Sequence, residues 1–265
     1  YKNGHGMDTA EESYTRNISL PTLMSRPSLE CITLEYPPDK GGIAAYLYGL
    51  FSSLKADVAV TRAIFSKWEP RWWPIILHCR NSQADMLIVS HLLPIGTAAW
   101  IARVCGGPAY ILIVHGMDVL LATRSPFKRW LSRHIVKQAY LVVANSNYTA
   151  TLVENHFQRR SIVLTPGYTA RLLPSRVEAR KKLGISPEEN IILSVGRLVS
   201  RKGFDVLMEA CQNIAGTLMI IGKGTDEERI KKAMHQSVNS KLLTNATDEE
   251  RDAWYAAADI FALLA

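Results

Sequence analysis

Residues 191–210 constrain the fold of this chain of 265 residues more than any other stretch. They open with a short, largely β-branched apolar run that ends at Val195, which is typical of a buried parallel strand. After Gly196 and a polar segment, apolar residues recur from Phe204 at the i, i+3, i+4 and i+7 spacing of an amphipathic helix. The sequence therefore predicts a strand, a loop and a helix in that order.

The predicted loop carries three cations, Arg197, Arg201 and Lys202, between Gly196 and Gly203. Ligands of open α/β sheets bind at the carboxyl ends of the strands, and a helix N-terminus offers free N–H groups to an anion. The alternative is that these cations are ordinary solvated surface charges. The flanking glycines and the position between strand and helix favour a site for a di-anion such as a pyrophosphate.

Similar alternation of strand and helix patterns over the chain predicts an α/β protein with two Rossmann-like, doubly wound domains. A polar, aperiodic leader is predicted for residues 1–28. The first domain is predicted for residues 29–165, a hinge for residues 166–176, and the second domain for residues 177–265.

Two further candidate sites follow predicted strands of the first domain. Gly41 and Gly42 come after a strand predicted for residues 30–36 and could bring the backbone close to a ligand, although a plain tight turn is the alternative. The helix predicted next, over residues 43–54, would place Tyr48 on its inner face. His115 and Asp118 follow a strand predicted for residues 110–114, where a lone histidine is more often a structural hydrogen bonder.

Gly222, Lys223 and Gly224 follow a strand predicted for residues 217–221. This Gly-x-Gly pattern resembles part of a dinucleotide fingerprint, but Glu227 stands where the third glycine should be. As an indication of an oxidoreductase it is therefore weak.

The net charge of +7 is uneven along the chain. Residues 1–165 carry 17 Lys and Arg against 11 Asp and Glu, whereas residues 166–265 carry 14 against 13. The basic first half suggests an anionic partner, which could be membrane lipid, a phosphorylated acceptor or nucleic acid. We expect no nucleic acid partner, because no nucleic-acid-binding motif is present.

One predicted helix beginning at Pro126 carries Arg129, Arg133 and Lys137 at i, i+4 and i+8, beside the aromatic residues Phe127 and Trp130. Such a stripe is usually a solvated face, but it could also dock on anionic lipid. Peripheral contact with the inner face of a membrane is therefore one interpretation of the basic first half.

No run of apolar residues approaches the length needed to span a bilayer, and no signal-peptide pattern opens the chain. The four cysteines are scattered, and three lie in apolar surroundings that indicate buried thiols, so a cytoplasmic location is predicted. Trp68, Trp72 and Trp73 lie in a segment without a clear helix or strand pattern, and we predict that they belong to the core rather than to a membrane anchor.

A known family is indicated by residues 194–199, Ser-Val-Gly-Arg-Leu-Val, followed by Arg-Lys-Gly at 201–203. These residues resemble the donor-phosphate loop of the GT-B glycosyltransferases of family four. The order Pro-Pro-x-x-Gly-Gly-Ile-Ala from residue 37 resembles the first loop of that family, and residues 142–149 resemble the stretch that ends its first domain. Thr-Pro-Gly at 165–167 resembles its hinge, but Tyr-Thr-Ala follows where the family has a hydrophobic residue and Asp.

The resemblance implies a donor site in the second domain. Arg197 and Lys202, beside Gly196, would hold the diphosphate of a nucleotide sugar that carries UDP or GDP. Gly222 and Lys223 would lie near the nucleotide base. The family needs no metal and no cofactor, and the chain has no Asp-x-Asp metal clamp.

The resemblance also implies an acceptor side in the first domain. The loop of Gly41 and Gly42 would contact the donor phosphate or the acceptor. His115 would reach the transferring sugar or the acceptor, with Asp118 beside it. The implied reaction is retaining transfer of a sugar to a lipid, saccharide or other hydroxyl acceptor, with the departing phosphate as base and no protein nucleophile.

Family members continue past the last predicted strand with a loop that carries two glutamates and with a terminal helix. The resemblance covers residues 29–265, so it predicts an incomplete second domain and leaves open whether this chain is catalytically active. Two alternatives remain: a nucleotide-sugar hydrolase or epimerase on the same fold, and a non-catalytic protein that binds a nucleotide sugar or a partner subunit.

Overall fold

A computed structural model describes residues 27–39, 41–54, 57–62, 72–168, 170–234 and 239–264 of the chain. Contacts between Cα atoms divide the chain into two compact units, with the division after Tyr168. This point lies within the range 166–176 predicted for the hinge. Most of the predicted leader, residues 1–26, lies outside the described residues.

In the first unit, the described strands form one parallel sheet in the order β2-β1-β3-β4-β5-β6. The strands are β1 (Leu29–Thr33), β2 (Val58–Arg62), β3 (Met86–Ser90), β4 (Ala109–Val114), β5 (Leu141–Ala144) and β6 (Ile162–Val163). The helices are α1 (Gly42–Ser53), α2 (Trp72–Asn81), α3 (Ile95–Val104), α4 (Gly116–Thr123), α5 (Pro126–Gln138) and α6 (Asn147–Phe157).

Both faces of this sheet are buried. Along β4, Leu112 and Val114 pack into a cluster with residues of α2 to α6, whereas Ile113 packs on the opposite face against α1. This alternation follows from the two-residue period of a strand, and apolar side chains on both faces are typical of a parallel sheet between helix layers.

In the second unit, the described strands form a parallel sheet in the order β10-β7-β8-β9. The strands are β7 (Ile191–Val195), β8 (Thr217–Ile221), β9 (Ser240–Leu243) and β10 (Ile260–Phe261). The helices are α7 (Arg176–Leu183), α8 (Phe204–Cys211), α9 (Glu227–Met234) and α10 (Asp248–Ala257), with a 3₁₀ turn at Ser200–Lys202. The predicted α/β class with two parallel, doubly wound sheets is confirmed.

A buried charge fixes α7 to the sheet of the second unit. Arg180 is only 4% exposed and donates to Asp259 at 2.8 Å, and the same carboxylate accepts from the Ile191 N–H at 2.8 Å. Arg180 also donates to three backbone carbonyls, those of Ala257, Ser186 and Pro187. Because its donors are satisfied, the guanidinium is tolerated in the interior and holds the starts of β7 and β10 together.

Two of the helices were not predicted from the sequence. The first, α2, covers most of the tryptophan-rich segment, and the second, α4, begins directly after His115. The prediction that the tryptophans belong to the core is wrong for Trp73, which is 70% exposed on α2. Trp68 lies outside the described residues.

The prediction of three buried cysteines is also wrong. Cys31 and Cys79 are buried, but Cys105 is exposed just after α3, and Cys211 is half-buried at the end of α8. Cys105 and Cys211 both lie at the ends of helices, where the apolar face of the helix meets solvent.

Glycines allow two loops of the second unit to touch at the carboxyl edge of its sheet. The Leu198 N–H donates to the Lys223 carbonyl at 2.8 Å, and the Leu198 carbonyl accepts from the Asp226 backbone N–H at 3.0 Å. A Cβ atom at Gly222 would overlap the carbonyl oxygen of Gly196, and one at Gly224 would overlap that of Leu198. The Gly-x-Gly pattern is therefore required for packing of the backbone.

Replacing Gly222 with Ala should lower the free energy of unfolding of the second unit by about 2 kcal/mol or more, because the new Cβ meets rigid backbone rather than a flexible side chain. Gly49→Ala is the control, since no atom lies within 4 Å of its Cβ position inside α1. We expect that change to be neutral or to stabilise by about 0.5–1 kcal/mol. Urea denaturation followed by circular dichroism measures both, and equal stabilities of Gly222→Ala and the parent would contradict the described contact.

Candidate functional site

The candidate sites of both units lie at the topological switch point, where the chain begins to add strands on the other side of the first strand of the sheet. In the first sheet the chain passes from β1 to β2 on one side and then to β3 on the other, and in the second sheet β8 and β10 flank β7 in the same way. Loops at the carboxyl ends of the central strands diverge there, which leaves room for a ligand. The loops after β1, β4, β7 and β8, with the first residues of the helices that follow them, contain the predicted site residues.

In the second unit, the cationic loop between β7 and α8 has a fixed backbone. Leu198 is fully buried and carries the two hydrogen bonds to the neighbouring loop. Gly203 ends the loop in a left-handed conformation with φ of +60°, which favours glycine. The neighbouring loop brings Lys223 to the surface beside this segment.

The cations of this loop differ from nearby Arg229 in their ion pairing. Arg197 and Arg201 are exposed and Lys202 is half-buried, and none of the three forms an ion pair with any carboxylate that the structure describes. Nearby Arg229, by contrast, is paired with Asp205 and Asp226 at 2.9 and 2.8 Å. Unpaired cations on a rigid loop can bind an anion without first breaking an ion pair.

The N-terminus of α8 contributes less to the predicted anion site than the sequence indicates. The Asp205 carboxylate accepts from Arg229 at 2.9 Å, which is the main reason that its pKa is lowered, and the backbone N–H groups of Val206 and Asp205 lower it further. An incoming anion would therefore meet a carboxylate at this helix end. The predicted anion site depends mainly on Arg197, Lys202 and their neighbours in the loop.

In the first unit, His115 and Asp118 are joined at the start of α4. The His115 N–H donates to the Asp118 carboxylate at 3.3 Å, and the Asp118 N–H donates to the His115 carbonyl at 2.9 Å. The ring of His115 is buried, as its exposed fraction is 7%. Among the described residues its Nε2 has no hydrogen-bond partner. Burial lowers the pKa of His115 to about 4, so the imidazole is neutral near pH 7.

Two other rings surround His115, and neither was predicted as part of the site. The His91 ring, just after β3, lies 5.8 Å from it between centroids. Burial, with a smaller effect of His115, lowers the pKa of His91 to about 4. The Tyr46 ring meets His115 edge-on at 5.8 Å, and its hydroxyl donates to the Leu164 carbonyl at 2.9 Å.

Sequence periodicity predicts Tyr48, not Tyr46, on the inner face of α1, and the structure corrects this. Tyr48 is 56% exposed, and Tyr46 is buried with Leu47 and Phe51. A tyrosine can lie on either face of a helix because its polarity is intermediate. The helical spacing that favours Tyr48 is therefore a weak guide to which of the two tyrosines is buried. His91 could have been found from its position directly after a buried strand.

Asp118 lies in an unusual electrostatic environment. Burial is the main reason that the pKa of Asp118 is raised to about 6, and the negative charge of nearby Glu35 also raises it. The backbone N–H groups of His115 and Leu92 act in the opposite direction and lower this pKa. Glu35 lies against the loop of the two glycines, since a Cβ atom at Gly41 would come within 2.5 Å of its Oε2. Gly41 leaves room for this position of the flexible Glu35 side chain, whereas no atom lies within 4 Å of the Cβ position of Gly42.

The structure thus places the predicted residues in two groups, one in each unit. His115, Asp118 and Gly41 come together with Glu35, His91 and Tyr46 at the carboxyl ends of β1, β3 and β4. This group combines a neutral imidazole, which can donate or accept a hydrogen bond, with a carboxyl group that titrates near neutral pH. The second group contains the cations of the loop after β7, with Gly196, Gly222 and Lys223.

Within the described ranges, no group of three His, Cys, Asp or Glu side chains could hold a metal ion. The helices in the same ranges include none that is both long and apolar enough to cross a membrane.

Comparison with known proteins matches each unit to a family model of glycosyltransferases. Residues 40–169 match the family described as Glycosyltransferase Family 4, and residues 175–265 match the family described as Glycosyl transferases group 1. These matches cover every residue of the two groups except Glu35.

Curated relatives include two bacterial enzymes. A GDP-mannose-dependent alpha-(1-6)-phosphatidylinositol monomannoside mannosyltransferase of Mycobacterium tuberculosis is 26% identical over 286 residues, covering 91% of this chain and 72% of the relative. The enzyme of Corynebacterium glutamicum that acts on the monoacylated form is 25% identical over 270 residues, covering 88% and 71%.

Solved structures with the same fold include sucrose-phosphate synthase from Thermosynechococcus elongatus, with a TM-score of 0.71 at 16% identity, covering 89% of this chain and 75% of that one. The Anabaena protein HepE in complex with UDP has a TM-score of 0.63 at 18% identity, covering 88% and 73%. These likenesses establish the GT-B fold.

The chain is therefore a glycosyltransferase by its family. It belongs to the group 1 glycosyltransferases of the GT-B fold.

His115 and Asp118 should affect stability in opposite directions as the pH falls. Between about pH 6.5 and pH 4 the unfolded chain protonates His115 while the folded chain does not, so the free energy of unfolding falls as the pH falls. His115→Gln should remove about 3 kcal/mol of that loss. Asp118 has a folded pKa of about 6 against an ordinary 3.8, so the folded chain binds the proton more tightly and is stabilised by acidification over that range. Asp118→Asn should therefore steepen the loss.

Urea denaturation over this pH range, followed by tryptophan fluorescence, measures both slopes, because five of the six tryptophans lie in the first unit. Parallel stability curves for the parent and both variants would show that neither group is buried as described.

Proposed function

We propose that this chain transfers a sugar from a nucleotide-sugar donor, and that Arg197 and Lys202 bind the donor diphosphate. The observation that carries the proposal is the set of unpaired cations on a rigid loop at the carboxyl end of β7. It is supported by the relatives, whose names specify GDP-mannose, and by the structural neighbour that was solved with UDP. Gly222 and Lys223, in the adjoining loop, would lie near the nucleotide base.

Charge on the leaving diphosphate grows as the bond to the sugar breaks. Fixed cations that face this charge stabilise the transition state more than the ground state, and they need little reorganisation because the backbone of the loop is already fixed. Arg197 can form two parallel bonds to phosphate oxygens, while Lys202 acts as a compact charge. We therefore propose that the transfer needs neither a metal ion nor a cofactor.

We further propose a lipid-linked hydroxyl acceptor that is bound by the first unit, on the basis of the phosphatidylinositol monomannoside acceptors in the names of the relatives. The neutral imidazole of His115 would accept or donate a hydrogen bond to a sugar or acceptor hydroxyl through its unpartnered Nε2. Asp118 holds the backbone of His115 in place, and the loop of Gly41 and Gly42 would admit the acceptor or the phosphate.

In the proposed reaction the acceptor attacks from the face that the diphosphate leaves. The departing phosphate takes the proton of the acceptor hydroxyl, so the configuration at the sugar carbon is retained and no protein nucleophile is needed. This reaction would take place in the cytoplasm, at the inner face of the membrane that carries the acceptor.

Donor binding should be lost when the loop cations are removed. Calorimetric titration with UDP-glucose and GDP-mannose should show binding to the parent, with affinity lowered about tenfold or more in Arg197→Ala and in Lys202→Ala, because each removes charge-assisted bonds to phosphate. Lys241→Ala removes an exposed cation from β9 and is the matched control. Unchanged binding in both loop variants would place the diphosphate elsewhere.

Transfer itself should be seen with GDP-mannose and a phosphatidylinositol mannoside acceptor. We expect product with the anomeric configuration of the donor by NMR, no change on addition of a chelator, and a fall of about 100-fold in kcat for His115→Ala with donor affinity intact. Release of free sugar in the absence of acceptor would instead identify a hydrolase, and loss of product with the chelator would refute the metal-free reaction.

A further inference from the structure

An exposed aromatic and cationic face lies on α5, and none of its residues is a candidate site residue of the first unit. Phe127 and Trp130 are 68% and 53% exposed, and their rings stack at 6.2 Å between centroids. Trp130 also contacts the ring of His134 at 4.5 Å. Large apolar rings that are held in contact with one another but left in solvent are costly unless they meet an apolar surface.

This exposure is not caused by loose packing of the helix. Ser132, Ile135 and Val136, on the opposite face of α5, are buried in the core. The helix begins with a Ser125 cap and a proline at its first position. A well-anchored helix therefore presents the two rings outward.

Cations flank the rings on the same helix. Arg133 and Lys137 follow Trp130 at i+3 and i+7 and therefore lie on its side of the helix. Lys128 directly follows Phe127 and lies about 100° around the helix axis from it, at the edge of this face. All three cations are exposed. The sequence between Asp118 and Glu154 contains no acidic residue. Among the described residues, none of these three cations forms an ion pair.

We propose that this face of α5 docks the protein on the surface of an anionic lipid bilayer. Phe127 and Trp130 would enter the region between headgroups and acyl chains, and Lys128, Arg133 and Lys137 would meet the lipid phosphates. The exposed rings match the apolar acyl region of a bilayer, and the cations beside them match the negatively charged headgroups above that region. A second copy of the same face does not match, because it would bring cations against cations.

The docking does not depend on the transfer reaction, since it uses none of the residues assigned to donor or acceptor. It would place the first unit at the membrane that carries a lipid-linked acceptor. The transfer could fail on every tested donor and the docking would still be measurable.

Co-sedimentation of the whole chain with vesicles tests the docking. We expect binding to vesicles of phosphatidylcholine mixed with phosphatidylglycerol, little binding to phosphatidylcholine alone, and release at high ionic strength. The triple variant Lys128→Gln, Arg133→Gln, Lys137→Gln should bind roughly 100-fold more weakly, because each cation near an anionic surface strengthens binding several-fold. Phe127→Ser with Trp130→Ser should weaken binding tenfold or more, because burial of the rings is lost.

Matched controls come from the second unit and from exposed apolar residues elsewhere. Lys181→Gln, Lys182→Gln, Lys241→Gln removes the same charge from exposed positions, and Tyr168→Ser with Leu172→Ser removes exposed apolar side chains. Circular dichroism checks that each variant is folded.

Three outcomes would overturn the proposal. The first is equal binding by the parent and both α5 variants, and the second is equal loss of binding in the controls. The third is α5-dependent binding to an oligonucleotide with no binding to either kind of vesicle, which would assign the face to nucleic acid.

Discussion

Backbone contact between loops at the carboxyl edge of the second sheet is the constraint on which the cationic site depends. The cations stand on a segment whose one buried side chain, Leu198, is flanked by hydrogen bonds to the loop after β8. That contact is possible only because Gly222 and Gly224 lack a Cβ atom. A pattern that looks like part of a nucleotide fingerprint therefore acts first through packing, and it fixes the segment that carries Arg197 and Lys202.

The two units keep their polar groups available by opposite means. In the second unit the three cations of the loop after β7 form no ion pair with a described carboxylate, and Arg197 and Arg201 are exposed, so water solvates them until an anion arrives. In the first unit His91 and His115 are buried, and burial removes their charge rather than pairing it. Asp118 shows the same effect with the opposite sign, because burial favours its neutral, protonated form. A positively charged imidazole pair beside each other would be disfavoured, so the neutral state of His91 and His115 is also what permits their contact.

The buried strands were predictable, and the residues around the ends of the strands were less so. Residues 191–195 and 217–221 were placed with the observed bounds, because a short apolar run between turn residues is typical of a buried strand. The helix α4 was missed since it begins with glycine immediately after His115, and α2 because Pro74 lies within it. Glu35 and Tyr46 could not be found, because their importance comes from contacts with Gly41 and His115 that only the folded chain creates.

Net charge is a poor guide to where we expect an anion to bind. The first half of the chain carries most of the excess positive charge, yet the polar cluster of the first unit contains neutral histidines and two carboxyl groups. The second half is nearly neutral, since it has 14 Lys and Arg against 13 Asp and Glu, and carboxylates pair with its Arg229, Arg180 and Arg251. Among the described residues, the cations after β7 nonetheless form no ion pair. What decides anion binding is the pairing of each cation and the rigidity of the backbone that carries it. The surplus charge of the first half is instead concentrated on α5, where exposed rings accompany it, and that combination fits an extended anionic surface better than a small ligand.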